Sequence, residues 1–365
     1  MTRRPLFQTH SANGFLRFTL ARRLAVLTIL CSSHLASFSY SQHLPATRVH
    51  SEFVRLLDRP RVPLAPQSSA VEREGLLVEH GSFASQIGER VPFLVVKKQT
   101  ASRPLPVVIV LHGTGGTKEG QFPLLKRLAD RNFIAFAMDG RLHGERGGNR
   151  AGKNRYQEAI IRAWREKDPS GQERPFYYDT VWDLWRALDY LQTRADVDGN
   201  RIGAIGFSKG GIELWLSAGD ERIKVAIPAI AVQSFKWSLE NDQWQARART
   251  ITPAHEAAQK DLDELQINQR VFRELWNKIV PGILDRFDCP SMIRLFAPRP
   301  LLILSGEIDP NCPLPGAQIA MDSARDAYRT GGKEERLQIN IASGVAHNVT
   351  PEQMNLALAW FDKWL

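Results

Sequence analysis

The chain has 365 residues, 24% of them charged and 43% hydrophobic, with a formal net charge of +9. This composition is ordinary for a globular protein and excludes collagenous, low-complexity and disulfide-dense chains. More than half of the excess charge sits in residues 1–41, which hold Arg3, Arg4, Arg17, Arg22 and Arg23 and no acid. What remains is a weak excess without a long Lys/Arg run, so no nucleic-acid partner is expected.

Residues 1–41 read as a cleavable export signal. A basic stretch precedes the apolar run Leu24 to Leu30 and the mixed run Cys31 to Ser41, with Ser39-Tyr40-Ser41 as a small-x-small cleavage site. The apolar run is too short to span a bilayer, so export to the periplasm or exterior is expected, with no stable membrane association after cleavage. Residues 42–74 mix Pro, Ser and charge and are expected to be a linker or lead-in. Leu76 to Val78 and Val91 to Val96 then suggest an antiparallel pair at a sheet edge.

Val107 to Leu111 is a continuous apolar run, expected as a strand buried on both faces, and it ends in His112-Gly113-Thr114-Gly115-Gly116. A helix over about 118–131 and a strand over 133–138 follow, ending at Asp139-Gly140. Gly147 and Gly152-Lys153-Asn154 imitate a phosphate-binding loop, but Asn154 replaces the Ser/Thr that holds magnesium and no strand leads into it. An amphipathic helix is expected over 179–195, with Thr180 and Asp183 as its capping box.

Ile202, Ala204 and Ile205 run into Gly206-Phe207-Ser208-Lys209-Gly210, and a helix-compatible segment follows at once. This is the strand, sharp turn and helix context of a nucleophile elbow, in which the residues two before and two after the serine must be small. After a strand over 225–232, residues 235–297 form a mostly helical insertion holding Trp237, Trp244 and Trp276. Inserted between sheet strands, it is expected to cap the strand ends where ligands bind. Strands at 301–304 and 337–341 flank a helix over 317–328, and Thr350, Pro351 and Gln353 begin a well-capped final helix.

A serine hydroxyl needs a histidine to take its proton and a carboxylate to orient that histidine. In this arrangement the chain order is Ser, acid, His. Of the two histidines after Ser208, His255 precedes the best acid and lies in the insertion, whereas His347 follows the last strand. The expected triad is therefore Ser208, Asp309 and His347, with Glu307 as the competing acid. The oxyanion requires two preset backbone N–H donors. Lys209 supplies one, its side chain being incidental, and Thr114 is preferred to Gly115 for the other. No cofactor is expected, and no His/Cys/acid cluster has the spacing of a metal site. Cys289 and Cys312 are the two cysteines beyond residue 41, and sequence leaves their pairing open.

The motifs LHGTGG at Leu111, GFSKGG at Gly206, GEIDP at Gly306 and GVAHN at Gly344 resemble the α/β-hydrolase superfamily from about Gly75 to Leu365. DGRLHGER at Asp139, DVDGNRIGAIGFSKGG at Asp196 and LFAPRPLLILSGEIDP at Leu295 are similar to its dienelactone hydrolase, acetyl xylan esterase and prolyl oligopeptidase branch. The resemblance implies an α/β fold with a mostly parallel central sheet flanked by helices and a helical cap. It implies a serine hydrolase acting on a small-molecule or carbohydrate ester. A prolyl oligopeptidase-type peptidase and a non-catalytic binding protein of the same fold are the alternatives.

Overall fold

A computed structural model describes residues 46–99, 103–147 and 152–365. The expected export signal at 1–41 lies outside the described residues, as does part of the segment that imitates a phosphate-binding loop.

A nine-stranded sheet has the order β1-β2-β3-β5-β4-β6-β7-β8-β9. Its strands are β1 (Gln67–Arg73), β2 (Leu76–Gln86), β3 (Glu89–Lys98), β4 (Leu105–Leu111), β5 (Ile134–Met138), β6 (Val197–Phe207), β7 (Ile223–Ala229), β8 (Leu301–Gly306) and β9 (Leu337–Ala342). From β5 to β9 every neighbour is parallel, whereas β1, β2 and β3 pair antiparallel with one another and β3 pairs antiparallel with β5. The central strands are buried on both faces, which is why they read as unbroken apolar runs.

The helices are α1 (Ala46–Leu57), α2 (Phe122–Asp130), α3 (Gly152–Arg165), α4 (Tyr178–Thr193), α5 (Lys209–Leu216), α6 (Phe235–Glu240), α7 (Gln245–Ala248), α8 (Thr252–Asp261), α9 (Gln269–Ile279), α10 (Cys289–Ile293), α11 (Leu314–Thr330) and α12 (Pro351–Trp364). Helices α2 and α12 cover one face of the sheet, and α1, α4, α5 and α11 cover the other. This is an α/β-hydrolase fold: mostly parallel, with helices on both faces. Helices α6 to α10 lie between β7 and β8, and α3, which precedes that range, packs against α8 and α9.

Three local readings change. The supposed linker contains α1 and β1. Val49, Phe53 and Leu57 recur every fourth residue and are buried, so α1 is an amphipathic helix of the core. Strand β1 is exposed along its whole length and forms the outer edge beyond β2. Thr180 and Asp183 do not cap α4, whose N-cap is Tyr177 with no side-chain bond. Instead the Thr180 hydroxyl accepts from Arg141 N at 3.1 Å, and Asp183 takes Arg141 Nη2 at 3.0 Å and Arg146 Nη1 at 2.6 Å. Helix α4 is buried on nearly every side, so its polar residues find partners in the β5–α3 loop rather than in water.

Phe53 is 1% exposed and meets the rings of Tyr178, Trp185 and Phe287 at centroid separations of 5.4, 6.2 and 5.1 Å. Phe53→Ala is expected to cost about 3–5 kcal/mol of unfolding free energy in urea denaturation. A loss below about 1 kcal/mol would mean that α1 is not part of the folded core.

Candidate active site

Strand β6 delivers Ser208 into the turn that opens α5. The serine has φ 50° and ψ −111°, a left-handed conformation that costs a non-glycine residue about 1–3 kcal/mol. Its N–H donates to Ala229 O at 2.9 Å, tying the turn to the end of β7. A Cβ on Gly206 would lie 2.2 Å from Gly210 O, and one on Gly210 would lie 2.4 Å from Leu111 O. Both glycines are therefore required by backbone passing backbone, where nothing can yield.

His347 Nε2 is 2.8 Å from Ser208 Oγ, and its Nδ1 is 2.7 Å from Asp309 Oδ2. With Nδ1–H donating to the carboxylate, Nε2 is free to accept the serine proton. Asp309 is buried, and its Oδ1 accepts from Asn311 N at 2.8 Å and Cys312 N at 3.2 Å. Glu307, the competing acid, points elsewhere: it accepts from Ser343 Oγ and Gly344 N, both at 2.7 Å, which hold its carboxyl below its usual range. It thereby braces the start of the histidine loop. Ile308 N donates to Val345 O at 3.0 Å, and a Cβ on Gly306 would lie 2.2 Å from Ala346 O, so the acid and histidine loops are interlocked.

The β4–α2 loop approaches from the other side. A Cβ on Gly113 would lie 3.6 Å from Ser208 Cβ, and Thr114 and Gly115 form an exposed turn closed by Gly116 N donating to Gly113 O at 3.0 Å. Lys209 is the first residue of α5, so its peptide N–H directly follows the serine, and Gly113 is the residue of the loop that adjoins Ser208. His112 braces this turn, with Nδ1 2.8 Å from Gly113 O and Nε2 accepting from Gly140 N at 3.0 Å. Burial, followed by the Lys209 ammonium, pushes its imidazole down to about 4. Lys118 anchors the far end of the loop: it is buried and pairs with Asp139 at 3.3 Å and with Glu119 and Glu145.

Sequence reasoning missed the Lys209 side chain. Expected to be incidental, it is buried at 1% exposure and paired with Glu213, itself buried one turn along α5. Burial raises the Glu213 carboxyl above its usual range, and the Lys209 ammonium opposes that rise. The i, i+4 spacing of the two residues was the available signal. His255 is buried in α8, where it accepts from Trp276 Nε1 at 3.3 Å and stacks on Phe272. Cys289 and Cys312 are both buried free thiols.

Asp309, Cys312 and His347 bring three potential metal-ligand atoms within 4.8 Å of one another. His347 Nδ1 and Asp309 Oδ2 are already committed to each other, so the three are an imidazole–carboxylate pair with a neighbouring thiol. What this arrangement can do chemically is activate Ser208 as a nucleophile.

Two predictions follow from the buried charges. Lys209→Met leaves Glu213 buried without its partner and is expected to cost about 3–5 kcal/mol in chemical denaturation, much of it recovered in Lys209→Met/Glu213→Leu. A single variant within about 0.5 kcal/mol of the unaltered protein would contradict this. The second concerns pH. Burial, the largest cause in each case, lowers His112 and His255 to about 4 and His143 to about 2. Unfolded imidazoles take up protons below about pH 6.5 while these stay neutral. Stability from this source is therefore complete above pH 6.5 and is lost as the pH falls toward 4. The urea midpoint should drop steadily between pH 7 and 4.5; a constant midpoint would exclude the effect.

The dienelactone hydrolase family model matches residues 92–262, which include the Gly113–Gly115 turn and Ser208. YtaP of Bacillus subtilis (strain 168), provisionally named a hydrolase, is 25% identical over 331 residues, 86% of this chain and 98% of YtaP. Among solved structures, the acetyl xylan esterase from Paenibacillus sp. R4 has 22% identity and a TM-score of 0.58, covering 88% of this chain and 92% of that one. Acetyl xylan esterase 1 from Thermoanaerobacterium sp. JW/SL YS485 has 17% identity and a TM-score of 0.61, covering 87% and 93%. At such identities these structures speak to the fold alone, and the matched family model covers just under half of the chain. Residues 92–262 thus match the dienelactone hydrolase family model, and the described residues share the fold of the acetyl xylan esterase structures.

Proposed function

We propose that this hydrolase cleaves a carboxylic ester of a carbohydrate through an acyl-enzyme on Ser208. The observation that carries the reading is the unbroken relay from Ser208 Oγ through His347 to Asp309, at 2.8 and 2.7 Å. His347 Nε2 takes the hydroxyl proton as Oγ attacks the ester carbonyl, and the buried Asp309 carboxylate stabilises the imidazolium that forms. The Lys209 and Thr114 amides hold the oxyanion. Collapse of the tetrahedral adduct breaks the bond to the alcohol oxygen, which leaves with the proton from His347. Water, activated by the same imidazole, then attacks the acyl-enzyme, releasing the carboxylic acid and restoring Ser208.

The acylated-carbohydrate reading draws on the printed activity of the acetyl xylan esterase neighbours and on the helical segment α6 to α10 inserted between β7 and β8. Export rests on the basic, acid-free and then apolar residues 1–41. N-terminal sequencing of the mature protein should begin at Gln42, and an intact Met1 would refute cleavage.

An active-site phosphonate should label the unaltered protein and not Ser208→Ala. Absence of labelling in the unaltered protein would favour a non-catalytic binding role. His347→Ala should lower kcat on the order of 10⁴-fold or more; near-normal activity would remove His347 from the mechanism. A panel of acetylated and feruloylated sugars against prolyl peptide amides decides the substrate class. Turnover of the sugar esters supports the reading, and preference for the amides overturns it.

A further inference from the structure

A cavity of about 330 Å³ is walled by four segments: the entry to α2, the end of β6, the residue after β7, and the loop and first turn of α12 that follow β9. Each ends or follows one of the parallel strands β4, β6, β7 and β9, so the cavity sits at their C-terminal ends, where ligands of open α/β sheets bind. Phe207 lines it and directly precedes Ser208; Asn348 and Val349 line it and directly follow His347. Adjoining Cα atoms are about 3.8 Å apart, and Ser208 Oγ lies 2.8 Å from His347 Nε2. The cavity therefore begins within one residue of both.

No charged side chain lines this space. Leu124, Phe207, Val349 and Met354 pack against the core under α2 and α12 and also border the cavity. The polar side chains in its wall are Gln121 and Asn348. The cavities bordered by His50 and by Arg174 differ, because charged side chains line each of them and none includes a chain neighbour of Ser208 or His347. Ile230 supplies an independent observation. It lines the cavity at φ 48°, a left-handed conformation that β-branched residues almost never adopt, and its N–H donates to Leu304 O at 2.7 Å. Such strain persists only where the surrounding structure imposes it, and it gathers at ligand sites.

An ester carbonyl placed against Ser208 Oγ has two substituents within reach of the cavity. A sugar alcohol would bring hydroxyls against Leu124, Phe207, Ile230, Val349 and Met354 and leave them without partners, a cost that an apolar chain does not incur. The acyl half is the one that suits these walls. Size then selects among acyl groups. The methyl of an acetyl group is about as large as one water, whose share of liquid volume is about 30 Å³, so acetyl would occupy only a small part of the space.

We propose that this cavity binds the acyl half of the ester, and that the preferred acyl group is an apolar chain of about four to eight carbons. This rests on the esterase reading above, and the test separates the two. The full chain is assayed with p-nitrophenyl acetate, butyrate and hexanoate, which share the alcohol, and with ethyl and hexyl acetate, in which the alcohol lengthens instead. Each CH₂ moved from water into apolar contact is worth about fourfold, so kcat/KM should rise about tenfold or more from acetate to hexanoate. From ethyl to hexyl acetate it should change by no more than about twofold. Leu124→Trp and Met354→Trp fill the cavity from separate walls, and each should lower the hexanoate-to-acetate ratio about tenfold. That ratio does not depend on how much of a variant folds, because both substrates meet the same active molecules. A kcat/KM that falls from acetate to hexanoate in the unaltered protein overturns the proposal. So does a ratio unchanged in both variants, or a gain with chain length that follows the alcohol. If no ester is hydrolysed, the esterase reading fails, and the cavity is judged by ligand-observed NMR with hexanamide. Binding that weakens about tenfold in Met354→Trp supports a site for an apolar chain; unchanged binding, or none to the unaltered protein, rejects it.

Discussion

One crowded crossing underlies the site: the end of β6, the first turn of α5 and the end of β4 pass so closely that only glycine fits at residues 206 and 210. That crowding forces Ser208 into its left-handed conformation and lifts its side chain out of the turn. It also brings Leu111, and so the turn at Gly113, against Ser208. The strain is held by the sheet on both sides, with the Ser208 amide bonded to the neighbouring strand β7. Position of the serine and position of the turn at Gly113 are thus one constraint.

Buried charge does the remaining fixing. Lys209 and Glu213 stiffen the first turn of α5, Lys118 and Asp139 hold the far end of the β4–α2 loop, and Arg141 and Arg146 close on Asp183 of α4. Such pairs add little net stability relative to apolar packing, but breaking one strands a charge in the interior. Their value here is geometric: each fixes a segment that adjoins Ser208 or the loop facing it. The acid and histidine loops are fixed differently, by backbone bonds and by Glu307 bridging to Ser343 and Gly344. The relay therefore rests on two separately braced halves.

Much of this was legible in the residues. Continuous apolar runs gave the central strands, since a strand covered on both faces has no polar side. The order Ser208, Asp309, His347 marked the three residues that the fold brings together. What escaped notice shares one cause, that polar residues were taken for solvated ones. The stretch before residue 75 looked like a linker because Arg48, Glu52 and Arg55 mask the four-residue spacing of Val49, Phe53 and Leu57. Thr180 and Asp183 passed for a helix cap because nothing in the local sequence reveals that Arg141 and Arg146 fold back onto them. Lys209 looked incidental for the same reason. Partners distant in sequence, or buried on a helix one turn away, are set by tertiary packing, to which local pattern is blind.

The most direct test is to look for the covalent intermediate itself. Mixing the protein with p-nitrophenyl acetate, quenching in acid and mapping peptides by mass spectrometry should place the mass of one acetyl group on the peptide containing Ser208. The modification should be absent in Ser208→Ala. A burst of p-nitrophenolate stoichiometric with protein should accompany it if deacylation is the slower step. Acetylation on another residue, or turnover undiminished in Ser208→Ala, would contradict a Ser208 acyl-enzyme and with it the relay that makes His347 its base.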